Sequence, residues 1–143
     1  MRWIMPIILC CLISVRPAWG SDIVLRIGTY NINATVANTP DSRKRGLMHQ
    51  TQLCENCGML FVFPQAGKHN FWMKDTLLPL SIAFIAADGS ILNIDEMQAN
   101  TSDTHSAQAN ALYALEMNKG WFNQHAIKPK YRVEGLQQAP QGF

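Results

Sequence analysis

The sequence predicts a mostly β fold, a compact β-sandwich or barrel-like domain with two short helices. Three observations carry that expectation. In residues 30–36, Tyr30, Ile32, Ala34 and Val36 alternate with Asn31, Asn33 and Thr35, the two-residue period of a strand with one buried and one wet face. Ala87-Asp88-Gly89-Ser90 places turn chemistry between two apolar runs, the signature of a hairpin. Further short apolar segments recur at regular spacing along the chain, as sandwiches and small barrels require.

The elements follow in order. Residues 23–27 predict a strand that pairs with 30–36 across Gly28-Thr29. Thr39-Pro40-Asp41 supplies a capping hydroxyl, a proline suited to the first helical position and an acid in the first turn. A short helix is therefore expected through Ser42, Arg43, Lys44 and Arg45, stopped by Gly46. Segments 59–63, 70–74 and 80–86 are rich in aromatic and branched residues and predict three strands, separated by Pro64-Gln65-Ala66-Gly67 and Leu78-Pro79. In residues 91–97, Leu92 and Ile94 alternate with Asn93 and Asp95, giving the second arm of the hairpin. Residues 98–108 predict a surface loop, 111–117 a strand, 120–125 one helical turn and 131–133 a closing strand. The tail over 137–143 is expected to fray.

The first 20 residues read differently. Met1-Arg2, an apolar run from Trp3 to Val15 and the small residues of Ala18-Trp19-Gly20 predict a cleavable signal peptide over residues 1–20. An exported protein is expected, periplasmic or secreted, with a single domain over 21–143 whose core spans about 28–135. The apolar run is shorter than the ~20 residues that span a bilayer and ends at Arg16-Pro17, so no transmembrane segment is expected in the mature chain. Cys10 and Cys11 lack the small preceding residue of a lipidation site and leave with the leader.

Removing Arg2 and Arg16 with that leader leaves 10 basic residues against 10 acidic ones, a formal charge of zero. Without a basic cluster there is no electrostatic footprint for nucleic acid, so no nucleic-acid partner is expected. The 123 residues that remain bury enough surface for one core without a disulfide scaffold.

Arg45-Gly46-Leu47-Met48, then residues 58–63, then Phe71-Trp72-Met73-Lys74-Asp75-Thr76 with Leu78-Pro79-Leu80, resemble the domain of unknown function 192 family. Leu115-Glu116 with Gly120-Trp121 downstream extends the resemblance, which covers about residues 30–133. It implies a small β-rich fold of bacterial and archaeal type, often exported, and brings no activity with it. The chain departs from the family pattern at Ser81, where an acid tends to follow the Pro-Leu pair, and at the Cys54-Glu55-Asn56-Cys57 insertion.

Cys54 and Cys57 form a C-x-x-C, a spacing shared by structural disulfides, thiol oxidoreductases and half of many zinc sites. In an oxidising compartment the expectation is a disulfide closing a very small loop, worth roughly 2 kcal/mol. His49 and His69 flank the pair at gaps that match no common finger, and no metal site is expected. The methionines at 48, 59, 73, 97 and 117 hint at copper, but most neighbour apolar residues where core packing is the ordinary role.

The polar constellation is the better candidate for function. Glu116 shares a strand face with Leu112 and Ala114, where an unpaired carboxylate would be costly, so it is expected to pair with Lys74 or Arg45. Arg43 and Arg45 lie on the short helix, and Lys74 and Asp75 close an aromatic segment. Trp72 and Trp121 stand beside amide and charged residues, as in pockets that combine stacking with directed hydrogen bonds. The candidate ligand-binding residues are therefore Arg45, Trp72, Lys74, Asp75, Glu116 and Trp121. No G-x-S-x-G, glycine-rich phosphate loop or H-E-x-x-H occurs, and no cofactor is expected.

Three functions compete. The first is a non-catalytic envelope module that binds a small polar ligand, a glycan or a partner protein. The second is a hydrolase using Glu116 or Asp75 as general base, with Lys74 or Arg45 stabilising negative charge. The third is a redox or metal accessory built on Cys54 and Cys57.

Overall fold

Alternation governs the first strand of the computed structural model, which describes residues 22–143; the expected signal peptide at 1–20 lies outside the described residues. Strand β1 (Asp22–Ile27) buries every second residue and pairs antiparallel with β2 (Tyr30–Ala37) around the Gly28-Thr29 turn. Helix α1 (Pro40–Arg45) is capped by Thr39, whose hydroxyl accepts from the Ser42 N–H while the Ser42 hydroxyl accepts from the Thr39 N–H. The helix lies in a crossover that allows β3 (Cys57–Gly67) to run parallel to β2, a connection no tight hairpin can make.

The remaining strands are β4 (Asn70–Phe71), β5 (Leu80–Ile85), β6 (Ile91–Met97), β7 (His105–Ser106), β8 (Ala111–Asn118) and β9 (Val133–Glu134), with helix α2 (Trp121–Gln124) after β8. Seven of them form one sheet in the order β6-β5-β8-β3-β2-β1-β9, and β4 pairs with β7 separately. The two edges of the large sheet meet. The Ile91 N–H donates to the Tyr131 carbonyl at 2.9 Å, Lys130 to Ile91 at 2.8 Å and Val133 to Gly89 at 2.8 Å. Ser90 and Arg132 form a bridge at the same seam. The sheet is thus curled into a barrel-like domain, as the strand pattern predicts.

Curling gives the sheet two unequal faces. The inner face gathers apolar side chains from β1, β2, β3, β5, β6, β8 and β9, sealed by Trp121, Phe122 and Ile127. The outer face of β3, β5 and β8 carries a second cluster, with Phe61, Met73, Ile82, Phe84, Met97 and Ala114 at its centre. Successive residues of a strand feed opposite clusters, which is why β5 is buried at all six positions rather than at alternate ones.

Several elements differ from expectation. The strand predicted over 70–74 stops at Phe71, because the Met73 N–H turns to the Thr101 carbonyl at 3.1 Å and the Thr76 N–H returns to Met73 at 3.2 Å. Its partner β7 lies inside the segment predicted as a loop, where Asn70 faces Ser106 and Phe71 faces His105. Strand β3 runs on past Pro64 to Gly67 with a shift of register after Val62, the irregularity a proline imposes on a ladder. The closing strand is Val133–Glu134, two residues on from its predicted start.

The tail is docked, not frayed. A 3₁₀ turn (Leu136–Gln138) packs Leu136 against the inner core, and the Phe143 N–H donates to the Asn38 carbonyl at 2.8 Å. Arg43 holds three carbonyls at once, those of Asn38 (2.8 Å), Val62 (3.0 Å) and Phe143 (2.5 Å). A guanidinium presents five donors in a fixed fork, so one side chain ties the tail to both the helix and β3. No helix of the described residues is long and apolar enough to cross a membrane.

Candidate functional site

Helix α1 has no buried residue of its own, and its last turn holds Arg43, Lys44 and Arg45. Gly46 then ends it at φ 47°, and a Cβ there would meet the Phe61 ring at 3.3 Å. The glycine lets the chain turn close against the sheet, so three cationic side chains are set beside the outer face of β3. Between them lies a cavity of about 240 Å³. Phe61, Phe63, Phe71 and Trp72 form its aromatic wall, Arg43, Lys44 and Arg45 border it, and Asn70, Thr76 and Glu116 complete the polar lining.

Glu116 is placed by the ladder. Strand β8 lies between β3 and β5, and Glu116 sits opposite Met59 on one side and Ile82 on the other. Its side chain joins Ala114 on the outer face and is 4% exposed. No hydrogen bond or neighbouring charge is among the causes of its shifted titration. Burial among apolar neighbours pushes its carboxyl up to about 8, so at neutral pH it is protonated and carries a proton to donate into the cavity. The expected pairing with Lys74 is therefore corrected. Arg45 borders the same cavity, while Lys74 turns away, its Nζ lying over the Trp72 ring 5.5 Å from the centroid.

Trp72, 51% exposed, also borders a second depression of about 230 Å³ with Lys74, Asp75, Asn100, Thr101 and Ser102. Asp75 and Asn100 hold left-handed backbone conformations there, φ 52° and 55°, which acid and amide side chains tolerate better than others. Of the six candidate residues, the structure brings Arg45, Trp72 and Glu116 to one cavity, and Lys74 and Asp75 to the adjoining depression. Trp121 goes elsewhere. It is 2% exposed in the inner core, its Nε1 donating to Asn56 Oδ1 at 3.0 Å and its ring packed on Tyr30, Phe122 and His125.

The aromatic wall is what sequence reasoning missed. Phe61 and Phe63 are two apart on β3, so both face the outer side with Glu116, and Phe71 meets both rings edge-on at 4.9 and 6.1 Å. Arg43 also belongs here. Its guanidinium donates to the main-chain oxygens of Asn38, Val62 and Phe143 and lies 5.5 Å from the Phe63 ring.

The departures from the family pattern have local explanations. Ser81 donates to Glu96 Oε2 at 2.6 Å and accepts from the Gly120 N–H at 2.8 Å, so the neighbouring strand supplies the acid at the position paired with Ser81. Cys54 and Cys57 lie at disulfide distance, 1.95 Å between sulfurs. His69 stacks on Phe63 at 3.6 Å and bonds the Gln65 carbonyl, and His49 is exposed. Among the described residues no group of three or more His, Cys, Asp or Glu could hold a metal ion.

Comparison with known proteins agrees with this architecture. The chain belongs to the domain of unknown function 192 family, described as uncharacterized ACR, whose model matches residues 23–135. A solved structure from Sinorhizobium meliloti 1021, described as that of a candidate transcription regulator, is similar at 30% identity and a TM-score of 0.79, covering 81% of this chain and 95% of that one. A protein of unknown function from Novosphingobium aromaticivorans DSM 12444 is similar at 28% identity and a TM-score of 0.79, covering 85% of this chain and 91% of that one. No curated protein matches the chain.

Proposed function

We propose that this protein is an exported, non-catalytic binding module that holds a small polar ligand in the cavity between helix α1 and the outer face of the sheet. One observation carries the reading: Glu116, an acid buried among apolar neighbours, lines that cavity, and burial alone raises its titration. A ligand that hydrogen-bonds this carboxyl offsets part of the cost of its burial. The cavity has the composition of a small-molecule site, mostly apolar wall with a few convergent polar groups.

The hydrolase reading is weaker because no second acid stands beside Glu116 in the cavity lining, where the other charged groups are Arg43, Lys44 and Arg45. Asp75, the other base considered, borders the adjoining depression instead. Export rests on the leader at residues 1–20, with cleavage before Ser21.

Native mass spectrometry of protein isolated from its host's envelope tests both parts. The expected result is a mature N-terminus at Ser21 and a small-molecule adduct that a Met48→Trp variant, which puts a bulky ring at a position lining the cavity, no longer carries. A retained leader overturns export. A wild-type protein without adduct, or an adduct unaffected by Met48→Trp, overturns the binding site.

A further inference from the structure

Building on that reading of the cavity, we propose that its ligand is a small organic acid with a flat apolar body, bound as its anion between the basic border and the Glu116 carboxyl. Three features select this class. The lining contains Arg43, Lys44 and Arg45 and no acid other than Glu116, so its formal charge is positive and favours an anion over a cation. Phe61, Phe63, Phe71 and Trp72 present rings along the wall, which suits a planar apolar body. The volume of about 240 Å³ limits the ligand to one ring or its equivalent, below the usual range for drug-sized molecules.

Glu116 decides how the acid is held. A protonated carboxyl donates a short, charge-assisted hydrogen bond to a carboxylate oxygen, whereas an ionised one repels it. The groups that face Glu116 are Arg43, Lys44 and Arg45 from α1, the uncharged Met59 and Phe61 from β3, Ile82 from β5, Asn70 and Phe71 from β4, and Trp72 and Thr76 after it. Lys74 and Asp75 border the adjoining depression. The anion therefore binds with the Glu116 proton in place and loses affinity as that proton is lost.

Isothermal titration with benzoate, benzylamine and benzyl alcohol between pH 6 and 9.5 tests this. Benzoate is expected to bind tightest, with constant affinity at low pH and a loss approaching tenfold per pH unit above about 8. Glu116→Gln keeps a donor and is expected to hold benzoate within threefold of wild type at pH 6 while removing the alkaline loss. Lys44→Glu, at an exposed position, is expected to weaken benzoate at least tenfold and leave benzyl alcohol unchanged. Benzylamine binding tighter than benzoate, benzyl alcohol matching it, or an alkaline loss that survives in Glu116→Gln overturns the acid class while the cavity remains a binding site. No heat from any of the three probes overturns the flat-ring acid class, while the cavity as a binding site stands or falls on the native adduct.

Discussion

Glu116 ionises near the ordinary value of 4.5 when the chain is unfolded and near 8 when folded, so its burial makes stability depend on pH. Below about 4.5 both states keep the proton and the depression of stability is absent. Between 4.5 and 8 the folded state binds one more proton than the unfolded one, so stability falls as pH rises, on the order of 1 kcal/mol per unit from this group. Above 8 the loss is complete and constant. Glu116→Gln removes the titration, so its melting temperature is expected to match wild type near pH 5 and exceed it at pH 9. Thermal melts across that range check it, and a variant less stable than wild type at pH 9 would count against a carboxyl raised by burial. The position of Glu116 on an apolar strand face was legible in the alternation of β8, and so was the demand it creates. That Lys74 does not answer it was not, because whether Lys74 reaches it depends on the turn at 73–76, where Lys74 is carried over Trp72.

Short elements were legible where side chains dictate local geometry and illegible where another part of the chain does. Thr39, Pro40 and Gly46 mark both ends of α1, and Asp88 fixes the β5–β6 turn by accepting from the Ser90 N–H at 2.9 Å. The β4–β7 pair and the docked tail depend on segments more than 30 residues away in sequence, so no local pattern announces them. The Cys54–Cys57 loop shows the same division. Its turn is held by the Cys57 N–H to the Cys54 carbonyl at 3.1 Å and by Asn118 Nδ2, which donates to the carbonyls of Leu53 (3.2 Å) and Cys54 (3.0 Å). Trp121 and Asn33 fix Asn56 between the two cysteines. A Cys54→Ser, Cys57→Ser variant is therefore expected to keep the fold and lose roughly 2 kcal/mol, the constraint of a very small loop. Urea unfolding measures that loss. Failure of the double variant to fold would mean that the disulfide, and not this network, sets the turn.

For the molecule as a whole, the decisive contact is the seam that joins the two edges of the sheet. Strand count and order of hydrophobic runs anticipated a barrel-like domain, since every strand needs an apolar face covered and curling covers most of them at once. The seam itself could not be read, because backbone hydrogen bonds make it. Gly89 is its tightest point. It holds φ 90°, and a Cβ there would lie 2.9 Å from the Val133 carbonyl oxygen, which is backbone and cannot swing aside. The same glycine carbonyl accepts the Val133 N–H, so any shift that relieves the clash lengthens the bond that closes the sheet. Gly89→Ala adds the strain of a left-handed alanine to that displacement, and a cost of about 2–3 kcal/mol is expected. The loss should be local before it is global. In hydrogen exchange, the amides of Ile91, Lys130 and Val133 are expected to lose protection, while those of β3 and β8, paired on both sides in the middle of the sheet, keep theirs to the extent that global stability allows. Uniform loss across all strands would mean that the barrel opens as one unit, and unchanged protection at Val133 would mean that the seam does not depend on the glycine.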